Sequence, residues 1–243
     1  MTPIVKSLAG RSALPLAVGG LMAVTAAFFS FQSHAAGEAV AIPAPAIDEP
    51  AGSGPETAVF AGGCFWGVQG VFQHVKGVES AISGYAGGIV ANPSYEQVGT
   101  ERTGHAESVR VTFDPQQVSY GKLLQIFFSV VQNPTELNFQ GPDSGPSYRS
   151  AVFTMSAEQK KVADAYVAQL DAAKVFPAKI VTEVTDYTSF YQAEDYHQDA
   201  ATTISINPGY ITHNDLPKIA NLKAMFPDVW RDKPQLVFAA NAS

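Results

Sequence analysis

Apolar residues recur at two spacings from residue 57 onward, and the spacings divide the chain into strands and helices. Thr57–Ala61 reads as a short strand closed by Gly62 and Gly63. Val68, Val71, Phe72 and Val75 share one face of a helix over Trp66–Val75. Val78–Tyr85 reads as a second strand. Val109, Val111 and Phe113 alternate along Ser108–Phe113, which Asp114-Pro115 stops. Ser119 caps a helix over Tyr120–Val131, with Leu123, Leu124, Phe127, Val130 and Val131 as its stripe. Ala151–Met155 is a further strand. Ser156 and Gln159 form a capping-box pair that opens a helix to Lys174, burying Val162, Tyr166 and Leu170. Lys179–Thr185 is the last strand predicted. Between them Asn133–Tyr148 is a long loop holding Pro134, Gly141, Pro142, Gly145 and Pro146, of a length that usually serves function. No internal repeat is visible. The one-sided pattern of Ser108–Phe113 suits an antiparallel sheet, so the class expected is α+β.

The start of the chain follows a different pattern. Lys6 and Arg11 precede an uncharged stretch from Ser12 to Gly37, almost wholly apolar from Ala13 to Phe31. Ser33 and Ala35 then occupy the −3 and −1 positions of a cleavage site, so residues 1–35 read as a secretory signal peptide. The alternative is an uncleaved membrane anchor facing the periplasm. Cleavage places the mature protein outside the cytoplasm, in a bacterial periplasm, away from the membrane. Ala36–Pro55 is rich in Pro, Ala and Gly and is expected to be a flexible or polyproline-like tether. The catalytic domain is expected at residues 56–230, with 231–243 a loose tail.

Composition narrows the function. Of 243 residues, 46% are hydrophobic and 15% charged, which is a globular balance. Fifteen basic residues face 22 acidic ones, a net charge of −7; without the two bases of residues 1–35 it becomes −9. An acidic chain lacking a basic stripe is a poor partner for nucleic acid. One cysteine excludes an internal disulfide and any Cys-x-x-Cys site.

That residue, Cys64, lies in Gly62-Gly63-Cys64-Phe65-Trp66-Gly67, between a strand and a helix. At a helix N-terminus, unpaired N–H donors and the dipole favour a thiolate. The other reading is a buried structural cysteine among core aromatics. Six blocks then occur in order: Gly63-Cys64-Phe65-Trp66-Gly67, Asn92-Pro93-Ser94-Tyr95, Gly104-His105-Ala106-Glu107, Gln140-Gly141-Pro142-Asp143, Tyr148-Arg149-Ser150 and Ala193-Glu194-Asp195-Tyr196-His197-Gln198. In residues and spacing they resemble the peptide methionine sulfoxide reductases of the A class, over about residues 57–210.

With the alternation, the resemblance implies a two-layer α/β sandwich: a ferredoxin-like, mixed or antiparallel sheet with flanking helices and long coil segments. It implies that Cys64 attacks the sulfur of a methionine S-sulfoxide, in proteins or free, and becomes a sulfenic acid. It makes Glu107 the acid that protonates the leaving oxygen, which requires an apolar pocket to keep the carboxyl neutral. Tyr95 and Tyr148 are the donors that polarise the S–O bond. Phe65 and Trp66 hold the substrate methyl group, and Asp143 and His197 complete the substrate side. No bound cofactor and no metal are implied, and nothing demands more than a monomer.

Alternatives stand beside these roles. Glu107 at a strand start could be a solvated surface acid. Tyr95 and Tyr148 could be core residues. Glu194, Asp195 and His197 could brace the site or form a polar surface. His105 could serve Cys64 as a base, making a cysteine hydrolase. A non-catalytic module gripping Met-rich segments through Phe65 and Trp66 is a third class.

Two departures from the family pattern matter. Gln132-Asn133-Pro134-Thr135 stands where many members carry His-Asp-Pro-Thr. Asn207-Pro208-Gly209-Tyr210 is followed by Ile211, where many have a resolving cysteine. The resemblance then implies that an external thiol, a thioredoxin-like protein or a small molecule, clears the oxidised Cys64.

Overall fold

The structure is a computed structural model that describes Met1 and residues 39–238. The signal-peptide reading of residues 1–35 lies outside the described residues, Met1 apart. Among the described residues no helix is long and apolar enough to cross a membrane.

Strand β1 (Glu56–Gly62) leads into helix α1 (Phe65–Gln73), and β2 (Val78–Ala86) follows. A four-residue helix α2 (Tyr95–Val98) precedes β3 (Ala106–Phe113). Helix α3 (Tyr120–Ile126) runs into a π-helical turn, Phe127–Val131. A hairpin of β4 (Phe139–Gln140) and β5 (Asp143–Ser144) and a 3-10 turn, Pro146–Tyr148, lead to β6 (Ser150–Thr154). Helix α4 (Ala157–Ala173), β7 (Glu183–Asp186) and β8 (Phe190–Gln192) come next. Short helices α5 (Ala200–Thr203) and α6 (Pro208–Tyr210), a π turn Ile211–Asp215 and α7 (Leu216–Met225) close the fold.

The main sheet has the order β7-β6-β1-β3-β2-β8. Its centre, β6-β1-β3-β2, is antiparallel throughout, and β7 joins β6 in parallel. With α1 after β1 and α4 after β6, this is the ferredoxin-like mixed sheet expected. The period of two sorts the strands' faces. Ala58, Phe60, Val109, Val111 and Phe113 point into the helix-covered core with α1, α3 and α4. Val59, Ala61, Ala86, Ala106, Ala151 and Phe153 form a thinner layer on the other face, packed by Tyr187 and Phe190.

Four expectations are corrected. The tether does not hang free in its described part. Ile42 is buried, and the carbonyls of Ile42, Pro43 and Ala44 accept from Gln125, Tyr166 and Gln169. Asp48 accepts from Ser119 and from Gly121 N–H at the start of α3. An extended proline-rich chain spends few carbonyls on itself, and side chains of α3 and α4 take them.

The helix over Tyr120–Val131 is not regular to its end. Val40 N–H donates to the Ser129 carbonyl and Ser129 Oγ donates to Val40, where the ladder widens to a π turn. The strand Lys179–Thr185 shrinks to Glu183–Asp186, because Ile180 N–H goes to Asp171 and Val181 N–H to Pro134. It is also not the last, since β8 pairs with β2. Finally, the tail is held as far as residue 238. Gln235 N–H bonds Gln73, and the buried Asp199 accepts from Val237 and Phe238 N–H.

Candidate active site

Cys64 is the N-cap of α1, where strand β1 turns into the helix. Gly63 makes that turn with φ +84°, and a Cβ there would come within 2.6 Å of Gln140 Cβ. Both facts require glycine. Gln140 is fixed in turn, accepting from Asn133 N–H at 2.9 Å and donating to the Asn133 carbonyl at 2.8 Å.

Glu107 reaches the same turn from β3. It follows the register of Val109, Val111 and Phe113, so its side chain enters the helix-covered face. There it is 3% exposed, and Oε2 accepts the Phe65 N–H at 3.0 Å. Burial pushes its carboxyl up to about 8, against the pull of that N–H; the negative charges of Asp143, Glu101 and Asp215 add to the rise. Glu107 is therefore neutral at pH 7. The surface-acid alternative fails.

The turn does not make the resting sulfur anionic. Burial pushes the Cys64 thiol well up, and the carboxyls of Glu107, Asp215 and Asp143 push further; the Trp66 N–H opposes them. A helix N-terminus normally offers several donors. Here one of them, Phe65 N–H, is given to Glu107 instead of the sulfur. The substrate-free protein thus holds a thiol, 8% exposed.

Tyr95 and Tyr148 complete the polar side. Each lies within electrostatic reach of Cys64, Glu107 and Asp143. Burial pushes the Tyr95 hydroxyl up to about 12 and the Tyr148 hydroxyl higher still, so both remain O–H donors. Among the described residues neither hydroxyl has a hydrogen-bond partner. Two carboxylates set their backbones. Glu194 accepts from Tyr95 N–H at 2.9 Å and from the Tyr85 hydroxyl at 2.8 Å. Glu101 accepts from Ser147 N–H at 2.8 Å and Ser147 Oγ at 2.7 Å, fixing the turn that ends in Tyr148.

The aromatic wall is layered. Phe65 is 1% exposed and packs on Tyr85 and His197. Trp66 is more open, donates its indole N–H to His197 Nδ1 at 3.1 Å, and meets Tyr210 edge-on. His197 was expected on the substrate side. It stands behind Trp66, 2% exposed and ringed by Phe65, Tyr95 and Tyr196. Burial lowers its basicity, so it is neutral, and because Nδ1 accepts, the proton sits on Nε2. Asp143 accepts from the Tyr210 hydroxyl, and half-burial raises its carboxyl.

His105 is not brought to the sulfur as a base. Its Nδ1 accepts from Gly88 N–H at 3.1 Å, which leaves Nε2 to donate to Val90 O at 2.8 Å. Both nitrogens are spent on backbone, and the hydrolase reading loses its base. The two departures are structural here. Asn133 folds the loop through Thr135 and Glu136, while Gln132 packs beside Gly62. Ile211, where a resolving cysteine would stand, is wholly buried in the core.

Tyr85, Glu101 and Asp215 carry no motif and were missed. A signal for Asp215 exists: Ile211, Asp215, Ile219 and Leu222 follow helical spacing, which puts a carboxyl on an apolar stripe.

Known proteins resemble this chain. The family model "Peptide methionine sulfoxide reductase" covers residues 56–228. A Mesorhizobium japonicum protein named peptide methionine sulfoxide reductase MsrA 2 is 59% identical over 195 residues, covering 80% of this chain and 100% of that one. A Synechocystis protein of the same name is 47% identical, over 77% of this chain and 89% of its own. The solved structure of methionine sulfoxide reductase A of Corynebacterium diphtheriae superposes with a TM-score of 0.56 at 30% identity, over 70% of this chain and 90% of that one. The chain belongs to the peptide methionine sulfoxide reductase family.

Proposed function

We propose that this chain reduces methionine S-sulfoxide, in proteins and as the free amino acid, to methionine. One observation carries the reading: a neutral buried carboxyl, Glu107, bonds the backbone of the residue next to the thiol. Oxygen leaves a sulfoxide poorly until it is protonated, and Glu107 holds a proton at neutral pH. The Tyr95 and Tyr148 hydroxyls, kept as O–H donors, would polarise the S–O bond, and Trp66 would hold the methyl group.

The exchange balances without an outside proton. Cys64 sulfur attacks the sulfoxide sulfur as its thiol proton is lost, and Glu107 protonates the oxygen. The protonated oxygen then passes as hydroxyl from the substrate sulfur to the Cys64 sulfur; the S–O bond and the S–S bond made in the attack both break, leaving Cys64 as S–OH and the substrate as the sulfide. The substrate sulfur gains two electrons, the Cys64 sulfur loses two, and Glu107 regains a proton. An external thiol then displaces water from the sulfenic acid, giving a mixed disulfide, and a second thiol releases Cys64. One cysteine in the chain supports this outside route. A thioredoxin-like protein supplies both thiols in one molecule.

The apolar leader with its Ser33–Ala35 site supports export to the periplasm. N-terminal sequencing of protein from a periplasmic extract should begin at Ala36; an intact Met1 would refute cleavage. The activity is tested by incubating the full chain with racemic methionine sulfoxide and dithiothreitol. Loss of the S epimer alone is expected. No loss, or loss of the R epimer alone, overturns the reading.

A further inference from the structure

Asp215 is a buried carboxyl that the reaction above leaves unused and, unlike Asp199, it has no backbone N–H to accept from among the described residues. It ends the π turn before α7 and has no exposed surface. Both carboxyl oxygens are buried without a hydrogen-bond partner. A buried carboxylate left so is strongly disfavoured, so the group is costly to keep unless it serves something.

Its position says what. Gly67, in the first turn of α1, lies against it: a Cβ there would land on Asp215 Oδ1 and press the Lys218 stem at 3.2 Å. The last glycine of Gly-Cys-Phe-Trp-Gly is therefore the opening through which this carboxyl abuts the helix start that carries Cys64. Several groups face the pair. Lys218 on α7 and Asp143 on β5 act on Asp215. Glu107 on β3 and Asp143 act with Asp215 on Cys64. Tyr95, Tyr148 and Tyr210, held as O–H by burial, complete the surroundings.

We propose that Asp215 is a positioning residue for Cys64: uncharged, it lets the sulfur ionise at the end of α1, and charged, it opposes that ionisation. The inference rests on Cys64 being the nucleophile. Burial raises the Asp215 carboxyl to about 7, with Lys218 pulling it down and Asp143 pushing it up, so the change of state falls near neutral pH. Below that pH the sulfur loses its proton against one fewer negative charge. Above it, each further gain in thiolate is offset until the repulsion is overcome.

The test is the rate of Cys64 alkylation by iodoacetamide on the full chain, from pH 5 to pH 10. This reports the thiol whether or not the chain reduces sulfoxide. The unsubstituted protein should show a plateau beginning near pH 7, with any break from Glu107 nearer 8. In Asp215→Asn the first plateau should vanish. Its rates should match below pH 6 and run roughly tenfold faster above pH 8, the effect of one like charge removed from a buried thiol. Lys218→Met keeps the aliphatic stem, lies at a half-buried position and does not depend on the Asn variant folding. It should move the plateau to higher pH. Superimposable profiles for Asp215→Asn, an equal slowing at every pH, or an unmoved plateau in Lys218→Met would overturn the proposal.

Discussion

The site has two sides built in different ways. Cys64 and Glu107 come from the ends of β1 and β3, adjacent antiparallel strands in the centre of the sheet. Tyr95, Asp143 and Tyr148 come from a four-residue helix, a two-residue strand and a 3-10 turn. On the first side regular structure sets position, and one backbone hydrogen bond joins the two groups. On the second, carboxylates do the setting: Glu194 for Tyr95 and Glu101 for the turn before Tyr148. The strand side carries the atoms that exchange bonds and protons. The coil side carries donors that polarise, which can be lost one at a time.

Substitutions sharpen that contrast. Cys64→Ser should abolish reduction of methionine S-sulfoxide with the far-ultraviolet circular dichroism unchanged. Glu107→Gln should lower kcat by about 10²–10⁴-fold, the range for a lost general acid. The same variant tests linkage. A carboxyl raised from 4.5 to about 8 contributes stability that is complete below pH 4.5 and lost as pH rises to 8. Glu107 alone should account for a loss on the order of 5 kcal/mol across that window, so Glu107→Gln should show a flatter Tm profile than the unsubstituted protein. Tyr95→Phe should cost roughly tenfold in kcat, the scale of one hydrogen bond, because Tyr148 remains. The double Tyr variant should fall further than either alone. Asp48→Ala, far from the sulfur, should cost about 1 kcal/mol in denaturant unfolding and leave kcat alone. If Tyr95→Phe cost as much as Glu107→Gln, the division between the two sides would collapse.

Legibility in the sequence followed the same division. The alternation of Val109, Val111 and Phe113 located β3, and carried back two residues it puts Glu107 on the buried face. Cys64 declared itself through its glycines and the helix that follows. Tyr95 and Tyr148 were legible only through their family blocks, because coil has no period to read. His197 is legible only through its family block, since sequence order does not show that its ring is buried among Phe65, Trp66, Tyr95 and Tyr196. The prolines of residues 43–50 suggested a tether because composition shows what a segment does not pair with internally. It does not show the glutamines and tyrosine on α3 and α4 that take its carbonyls. The tail failed likewise, through Asp199, a partner 38 residues from Val237.

Sulfoxide reduction at this site requires a carboxyl kept neutral beside the thiol. Glutamate labelled with carbon-13 at its side-chain carboxyl, with the Glu107 signal assigned by its absence in Glu107→Gln, lets that group be titrated directly. A midpoint near 8 is predicted. A midpoint near 4.5, the ordinary value for an exposed glutamate, would contradict the account.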